Sequence, residues 1–336
     1  MSVLPLPNPE DEPFVTSLPT NWRVAVVIPC YKVVPYVCGV IARIGPEVHS
    51  IICVDDACPD GSGDHIRAHC NDPRVEVLVH PRNLGVGGAT LTGCRHALEG
   101  AADIIVKVDG DGQMAPEMIG RFLRPILLGR ADYTKGNRFF MLRSLSSMPK
   151  IRLVGNAVLS FFTKLSTGYW HVMDPTNGYV AIHHRVLAEL LEDKVSQRYF
   201  FESDLLFRLN TLAAVVEDVP MDASYEHLHS SLRIREVFLT FLWNNLVNTA
   251  KRIFYTHFLR NFSVASLELL LGLAAFLFGT AFGLERWAHS LATGHPVTCG
   301  TVMLAALPVL LGTQLILSFV AHDVRSTPQI PLHKRL

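Results

Sequence analysis

Up to about residue 233 the chain alternates between short apolar runs and longer stretches with helical periodicity. The apolar runs are rich in β-branched residues and apolar on both faces, which is typical of parallel strands covered by helices. Strands that alternate with helices indicate an α/β doubly wound sheet. The predicted strands cover residues 24–28, 50–54, 75–79 and 104–108, and the predicted helices cover residues 35–44, 64–69, 86–98 and 116–128.

From residue 234 to residue 262 the apolar residues recur at the spacing of one or two amphipathic helices. One interpretation is a helix packed on the preceding domain. The position just before a very apolar stretch favours instead a helix lying in a membrane interface. The apolar positions are Leu239, Trp243, Leu246, Ala250 and Ile253, and the polar ones between them are Asn244, Asn245, Asn248, Lys251 and Arg252.

Residues 263–284 and 301–320 are almost wholly apolar. At about 1.5 Å per residue each run spans roughly 30 Å, the thickness of a bilayer core. A pair of buried core helices is the alternative, but two such runs joined by a short loop favour two transmembrane helices. Glu268 is then expected to face a neighbouring helix or to lie near the interface.

Basic residues lie on the two outer flanks of these spans. The positive-inside rule therefore predicts an integral protein of the cytoplasmic (inner) membrane, with the α/β domain and the C-terminus both in the cytoplasm. A face of small residues in the first span also predicts a homo-oligomer. The basic residues are Lys251, Arg252 and Arg260 before the first span, Arg325, Lys334 and Arg335 after the second, and Arg286 in the loop, and the small residues are Gly272, Ala275 and Gly279.

These patterns divide the 336 residues into five parts. The first part is proline-rich and lacks the basic start and apolar core of a signal peptide, which predicts a flexible tail. Thirty basic residues balance thirty acidic ones, so the charge does not suggest a nucleic-acid partner. The parts are a tail over 1–21, the α/β domain over 22–233, interfacial helices over 234–262, a two-helix transmembrane region over 263–321 and a cytoplasmic tail over 322–336.

Three polar clusters directly follow predicted strands, at positions 29–31, 55–56 and 109–111. In doubly wound sheets, ligands bind beyond the carboxyl ends of the strands. Asp109 and Asp111 are one residue apart, so both carboxylates can face one hard cation. Mg²⁺ or Mn²⁺ held there would neutralise charge on a departing nucleotide. The alternative is an acidic turn, but the position after a parallel strand favours the metal.

Asp55 and Asp56 can accept hydrogen bonds from a base or a ribose, or one of them can cap the following helix. The glycines at 85, 87 and 88 match neither a Walker loop nor G-x-G-x-x-G, so they are expected to let a helix start pack closely.

Four segments together resemble the family 2 glycosyltransferases with the GT-A fold, most closely the dolichol-phosphate mannosyltransferase and polyprenyl-phosphate glycosyltransferase branch. The segments are VVIPCYK, IICVDDACPDGSGD, RNLGVGGA and VKVDGDGQ. The resemblance spans residues 24–234 and implies a GT-A catalytic domain with a mostly parallel, Rossmann-like sheet. It implies inverting transfer of one sugar from a UDP- or GDP-linked donor to a polyprenyl phosphate.

The resemblance also implies roles for individual residues. Catalysis would rest on Asp111, Gln113 and Arg138, and the metal on Asp109, Asp111 and Gln113. The nucleotide-sugar would contact Pro29, Tyr31, Asp55, Asp56 and Asp109, the acceptor phosphate would contact Lys135, Arg138, Arg152 and Arg233, and the sugar or acceptor loop would comprise Asp174, Thr176, Asn177, Glu202 and Asp204.

One departure concerns the Gly-x-Ser-Lys element of these enzymes, where this chain has His229-Ser230-Ser231-Leu232-Arg233. Arg233 is the candidate replacement for the missing lysine. Glu202 and Asp204 have a second interpretation, as caps of a helix over 204–212.

Two other functions fit the sequence less well. A processive polysaccharide synthase carries a QxxRW element, whereas here Gly283 stands in the glutamine position before Arg286-Trp287. A non-catalytic membrane assembly partner with a degenerate GT-A fold would have no need of the intact pair Asp109 and Asp111.

Overall fold

The computed structural model describes residues 22–140, 150–191, 195–198, 200–221 and 234–336. Within them, seven strands form one sheet in the order β3-β2-β1-β4-β6-β5-β7. Neighbouring strands are parallel except at β6, which runs antiparallel to both β4 and β5. The strands are β1 Val24–Cys30, β2 Ser50–Asp55, β3 Val75–Val79, β4 Ile104–Lys107, β5 Tyr133–Asn137, β6 Val180–His183 and β7 Val216–Pro220.

Ten α-helices accompany these strands in the described residues, and the predicted α/β doubly wound architecture is confirmed. The N-terminal tail 1–21 and Arg233 lie outside the described residues. The helices are α1 Val37–Ala42, α2 Ser62–His69, α3 Val86–Glu99, α4 Ile119–Leu127, α5 Lys150–Thr167, α6 His184–Leu191, α7 Phe201–Thr211, α8 Ile234–Ile253, α9 Val264–Thr293 and α10 Cys299–Arg325, with short 3₁₀-helices at Pro116–Met118 and Leu332–Lys334 and a π-helix at Phe254–Arg260.

The sheet has a hydrophobic core on each face. Val26 and Ile28 of β1 pack with α1, α2 and α4. Ala25 and Val27 of the same strand pack with α3, α6 and α7 on the other face. This alternation follows from the two-residue period of a strand, and it explains why the run is apolar throughout.

The antiparallel direction of strand β6 was not predicted from the sequence, and it matters for the site. Because it is antiparallel, its first residue lies at the carboxyl edge of its neighbours, where Val180 pairs with both Lys107 and Lys135. The segment just before β6, residues 174–178, is therefore delivered to the edge where the predicted ligand-binding residues end their strands.

Helix α8 has its polar stripe inside and its apolar stripe outside. Asn245 and Arg252 are buried against the α/β domain, whereas Leu239 and Trp243 are 69% and 67% exposed. The helix thus packs on the domain, as the first interpretation held. It also presents outward the apolar face that the interfacial interpretation requires.

Helices α9 and α10 form a hairpin, and each is long and apolar enough to cross a membrane. Most of their side chains are exposed, unlike those of core helices. Both helices extend beyond the predicted spans. Glu268 faces the neighbouring helix, as expected, and its carboxylate accepts a hydrogen bond from Ser318 Oγ at 3.0 Å.

The small residues of α9 lie between the two helices of one hairpin. A Cβ at Gly272 would lie 3.1 Å from the carbonyl oxygen of Gly312, and one at Gly279 would lie 2.7 Å from that of Ala305. The face on which the homo-oligomer prediction rested is therefore used within a single chain. The oligomeric state stays a prediction without that support.

The chain returns to the α/β domain after α10. The Asp132 carboxylate, just before β5, accepts the backbone N–H groups of Leu332 and His333 at 2.7 and 2.8 Å. The C-terminal segment and the α/β domain thus lie at the same end of the hairpin. This is the arrangement that two membrane crossings require.

Candidate active site

A cavity of about 330 Å³ lies at the carboxyl edge of the sheet, beyond the ends of β1 and β4. Five of its lining residues were predicted from the sequence to be functional, and three polar or glycine residues that line it from outside the strand-end clusters 29–31, 55–56 and 109–111 were not. The predicted ones are Pro29, Tyr31, Asp56, Asp109 and Asp111, and the others are Asn83, Gly85 and Arg198.

Asp109 is held by a buried lysine of its own strand. Lys107 Nζ lies 2.7 Å from Asp109 Oδ1 and 3.7 Å from Glu202 Oε1, and it donates to the Gly178 carbonyl at 3.2 Å. Burial opposes the charged form of Lys107, but the carboxylates of Asp109 and Glu202 outweigh it and raise the pKa of Lys107. One ammonium thus joins the end of β4 to α7 and to the segment before β6.

Asp111 stands beside this pair with less compensation. Burial raises its pKa, the backbone N–H of Gln113 at 3.0 Å opposes the rise, and the negative charge of Asp109 adds to it. A cation between the two carboxylates would lower the electrostatic energy of both. The site therefore has a local excess of negative charge facing the cavity.

These donors fit a hard divalent cation. Carboxylate oxygens suit Mg²⁺ and Mn²⁺, and Mg²⁺ is commonly held by one or two carboxylates plus substrate phosphates. Among the residues that the structure describes, no three His, Cys, Asp or Glu side chains form a metal cluster. Phosphate oxygens and water would have to complete the coordination. The Gln113 side chain is exposed, and its observed contact is through its backbone.

The two neighbouring aspartates at the end of β2 have different roles. Asp55 accepts the backbone N–H groups of Cys58 and Gly63 at 2.7 and 2.6 Å, so it takes the helix-capping alternative at the start of α2. Asp56 lines the cavity and accepts the N–H groups of Leu84 and Gly85 at 2.8 and 2.7 Å. It therefore fixes the loop before α3 against the cavity wall.

The glycines at the start of α3 admit a neighbouring segment, as expected. The N–H groups of Gly87 and Gly88 donate to the Gln197 carbonyl at 3.0 and 3.2 Å. A Cβ at Gly87 would lie 2.7 Å from the Phe201 ring. This close approach brings the exposed Arg198 to the cavity, where it adds a positive charge to a lining that also includes Asp109 and Asp111.

The end of β5 and the segment before β6 form one unit. Arg138 Nε and Nη2 lie 2.7 and 3.1 Å from the two carboxylate oxygens of Asp174. Lys135 is fully buried, donates to the Asn177 carbonyl, and has its pKa lowered by burial to about 8. The Lys135 ammonium is thus out of direct reach of an acceptor, whereas the Arg138 side chain is 31% exposed. Thr176 is exposed at this edge.

Helix α7 begins at Phe201 rather than at residue 204, so neither acidic residue is its first residue. Glu202 faces Lys107. Asp204 accepts the Ser196 N–H at 2.8 Å and the Asn248 amide at 3.2 Å, so it ties α7 to α8.

The side chains of two residues predicted to contact the acceptor phosphate lie outside the described part of the structure. Arg152 belongs to α5, and its side chain is not described. Arg233 falls in the undescribed stretch 222–233.

Two residues of the site, Lys107 and Arg198, were not predicted from the sequence. Lys107 is a lysine at the end of an otherwise apolar buried strand, which is a usable signal, because a buried ammonium requires a partner. Arg198 has no local signal. Its position depends on contacts with α3, more than a hundred residues earlier in the chain.

Comparisons with known proteins agree with this geometry. A family model described as glycosyl transferase family 2 matches residues 25–191. The UDP-N-acetylglucosamine–dolichyl-phosphate N-acetylglucosaminyltransferase of Methanococcus voltae is 36% identical over 45% of this chain and 60% of its own length. The undecaprenyl-phosphate mannosyltransferase of Micrococcus luteus is 31% identical over 59% of this chain and 82% of its own. The polyprenol monophosphomannose synthase of Mycolicibacterium smegmatis is 32% identical over 61% of this chain and 78% of its own.

Solved structures share the fold. Glucosyl-3-phosphoglycerate synthase from Mycobacterium tuberculosis, in complex with uridine diphosphate, superposes with a TM-score of 0.52 at 17% identity, over 69% of this chain and 80% of that one. A complex of the same enzyme with Mn²⁺, UDP-glucose and phosphoglyceric acid gives a TM-score of 0.51 at 18% identity, with the same coverage.

The chain belongs to glycosyl transferase family 2, and it is a glycosyltransferase whose relatives include enzymes named for transfer to polyprenyl phosphates.

Proposed function

We propose that this enzyme transfers one sugar from a nucleotide diphosphate sugar to a polyprenyl phosphate at the cytoplasmic face of a membrane, with inversion at the anomeric carbon. The observation that carries the proposal is the cavity at the strand ends, whose lining includes Asp109, Asp111 and Arg198. Carboxylates suited to a cation and a guanidinium in the same cavity match a bound diphosphate. The relatives named above supply the class of acceptor.

On the donor side, Pro29, Tyr31 and Asp56 line the end of the cavity proposed for the nucleoside. Asp109 and Asp111 would hold Mg²⁺ or Mn²⁺, which neutralises charge on the leaving nucleotide. Solved structures of the same fold with Mn²⁺ and UDP-glucose support such a metal. Arg198 binds the diphosphate and stabilises the charge that develops when the sugar leaves.

On the acceptor side, Arg138 holds the phosphate at the edge of the sheet, oriented by its two bonds to Asp174. A phosphate monoester is largely dianionic near neutral pH, because its second pKa is about 6. It therefore needs positive charge to hold it rather than a base to activate it. Its oxygen attacks the anomeric carbon from the face opposite the leaving diphosphate.

The membrane arrangement supports a lipid acceptor. The apolar hairpin of α9 and α10 and the outward apolar face of α8 would hold the catalytic domain against the bilayer. The excess of Lys and Arg on the flanks of the hairpin supports a cytoplasmic domain and C-terminus.

The test is a donor panel. Purified enzyme in vesicles containing polyprenyl phosphate is incubated with Mn²⁺ and labelled UDP-glucose, UDP-N-acetylglucosamine or GDP-mannose. The proposal expects one donor to label a lipid that is stable to phosphatase but cleaved by mild acid. No labelled lipid from any nucleotide-sugar, with a protein that still binds nucleotide, would refute it.

A further inference from the structure

A single carboxylate near the end of α10 gathers contacts from three parts of the chain. Arg252 of α8 donates to Asp323 Oδ1 and Oδ2 at 2.7 and 2.8 Å. His257 Nε2 of the π-helix lies 3.0 Å from Oδ1. Trp170, which follows α5 in the catalytic domain, donates its indole N–H to Oδ2 at 3.1 Å. Asp323 itself is only 3% exposed.

The guanidinium of Arg252 is enclosed as tightly as the carboxylate. Its Nη2 also donates to the Leu165 carbonyl of α5 at 3.0 Å. Gly168 adopts φ +74, and a Cβ there would lie 2.9 Å from Arg252 Nη1. The residue after α5 must therefore be very small for the guanidinium to reach Asp323.

Such a junction selects an arrangement more than it adds stability. Burying two charges costs solvation free energy, and the cost is recovered only when the geometry is good and the remaining donors and acceptors are bonded. The paired bonds between guanidinium and carboxylate permit one relative orientation. Because the partners sit on different helices, that orientation fixes α10 against α8 and against the catalytic domain.

The same face of α8 reaches the active site. One turn before Arg252, the Asn248 amide donates to Asp204 of α7 at 3.2 Å. Helix α7 also carries Glu202, which faces Lys107 and thereby the end of β4. Helix α8 thus contacts the end of the membrane hairpin through Arg252 and the helix that carries Glu202 through Asn248.

We infer that Asp323 is a positioning residue that sets the height and tilt of the catalytic cavity above the bilayer, through its bonds to Arg252 and Trp170. This inference rests on the proposed function. A polyprenyl phosphate anchored by its chain presents its headgroup at a fixed depth, so a cavity displaced from that depth loses the preorganised approach of the reactants. An acceptor free in solution does not depend on that height.

The experiment compares two acceptors in the same vesicles. One is a long-chain polyprenyl phosphate embedded in the bilayer, and the other is a two-isoprene phosphate dissolved in the buffer. For Asp323→Asn, transfer to the embedded acceptor is expected to fall about tenfold or more, because small misplacements of reactants cost that much. Transfer to the soluble acceptor and the KM for the nucleotide-sugar should stay at the wild-type value.

Two further variants complete the design. Glu285→Gln changes an exposed carboxylate at the other end of the hairpin and should match the wild type with both acceptors. Trp170→Phe removes one hydrogen bond to Asp323 while keeping a ring of similar shape. It should show the same split to a smaller degree, and it carries the test if Asp323→Asn fails to fold.

An equal loss with both acceptors would overturn the inference, because it would assign Asp323 a role in folding alone. So would wild-type transfer to the embedded acceptor by both Asp323→Asn and Trp170→Phe. If the wild type transferred sugar to neither acceptor, the proposed function would be refuted, and the inference with it.

Discussion

The ammonium of Lys107 lies 2.7 Å from Oδ1 of Asp109, at the end of the strand that delivers the carboxylate to the cavity. The same ammonium faces Glu202 at 3.7 Å. A lysine that is 2% exposed thus compensates two acidic groups from different elements before any ligand is present. This positive charge explains how acidic side chains can cluster at the end of β4 without destabilising the fold.

Replacing Lys107 with methionine should therefore destabilise the catalytic domain. Removing one partner of a buried ion pair costs about 3 kcal/mol, or roughly 6–12 °C in the midpoint of thermal unfolding. The midpoint in detergent is measured by intrinsic fluorescence. Lys251→Met, at an exposed lysine of α8, is the control and should leave the midpoint unchanged. Equal unfolding midpoints for Lys107→Met and the control would contradict the stabilising role of the Lys107 ammonium.

Asp111→Asn should abolish transfer without unfolding the protein. The lost carboxylate removes half of the acidic pair proposed to hold the cation, and a metal contribution of several kcal/mol corresponds to about a hundredfold loss or more. Initial rates are compared with those of Asp64→Asn, an exposed carboxylate of α2. Full wild-type activity in excess EDTA would sink the metal assignment.

Arg198→Ala should weaken nucleotide binding. A charge-assisted hydrogen bond contributes about 1.5–3 kcal/mol, so the dissociation constant for the nucleoside diphosphate should rise about tenfold or more. Titration calorimetry with Mn²⁺ present measures it. Arg198→Lys should recover part of the affinity, and Arg95→Ala, an exposed arginine of α3, should retain all of it. Unchanged affinity in Arg198→Ala would remove this residue from the site.

The contact between the C-terminal segment and the α/β domain should become less stable in acid. Burial lowers the pKa of His183 to about 4, and the nearby His333 and His184 add to the effect. The unfolded chain takes up the proton near 6.5, whereas the folded protein does so near 4. The contribution of His183 to folding stability is therefore present above about pH 6.5 and is lost as the pH falls from 6.5 to about 4. His183→Phe should flatten that decline in the unfolding midpoint. An identical pH profile for variant and wild type would contradict the prediction.

The strand ends were predictable because the carboxyl ends of parallel strands share an edge, which brought Pro29, Asp56, Asp109 and Asp111 together. Adjacent residues could not be ranked in the same way. Asp55 ends β2 and Asp56 directly follows it, and only the turn geometry decides that the first caps α2 while the second lines the cavity.

Features that depend on distant packing were out of reach. An amphipathic helix ordinarily buries its apolar face, but α8 buries Asn248 and Arg252. Their buried partners are Asp204 and Asp323, which lie on helices distant in sequence. Periodicity reports which residues share a face, but it does not report what covers that face.

Arg138→Ala should damage transfer more than Asp204→Asn does. The first removes the positive charge proposed for the acceptor phosphate, and its loss should appear as a higher KM for the acceptor. The second keeps an oxygen that can accept the Ser196 N–H. Kinetics with varied acceptor at saturating donor distinguish the two. A greater loss in Asp204→Asn would point to a carboxylate base, and hence to a hydroxyl acceptor.

The central claim is that the acceptor is a phosphate held by positive charge. The most direct measurement gives the purified enzyme a labelled nucleotide-sugar that it uses, with either a polyprenyl phosphate or the free polyprenol of the same length. We expect labelled lipid from the phosphate and none from the alcohol. Efficient transfer to the free polyprenol, kept in Arg138→Ala and lost in Asp204→Asn, would contradict it.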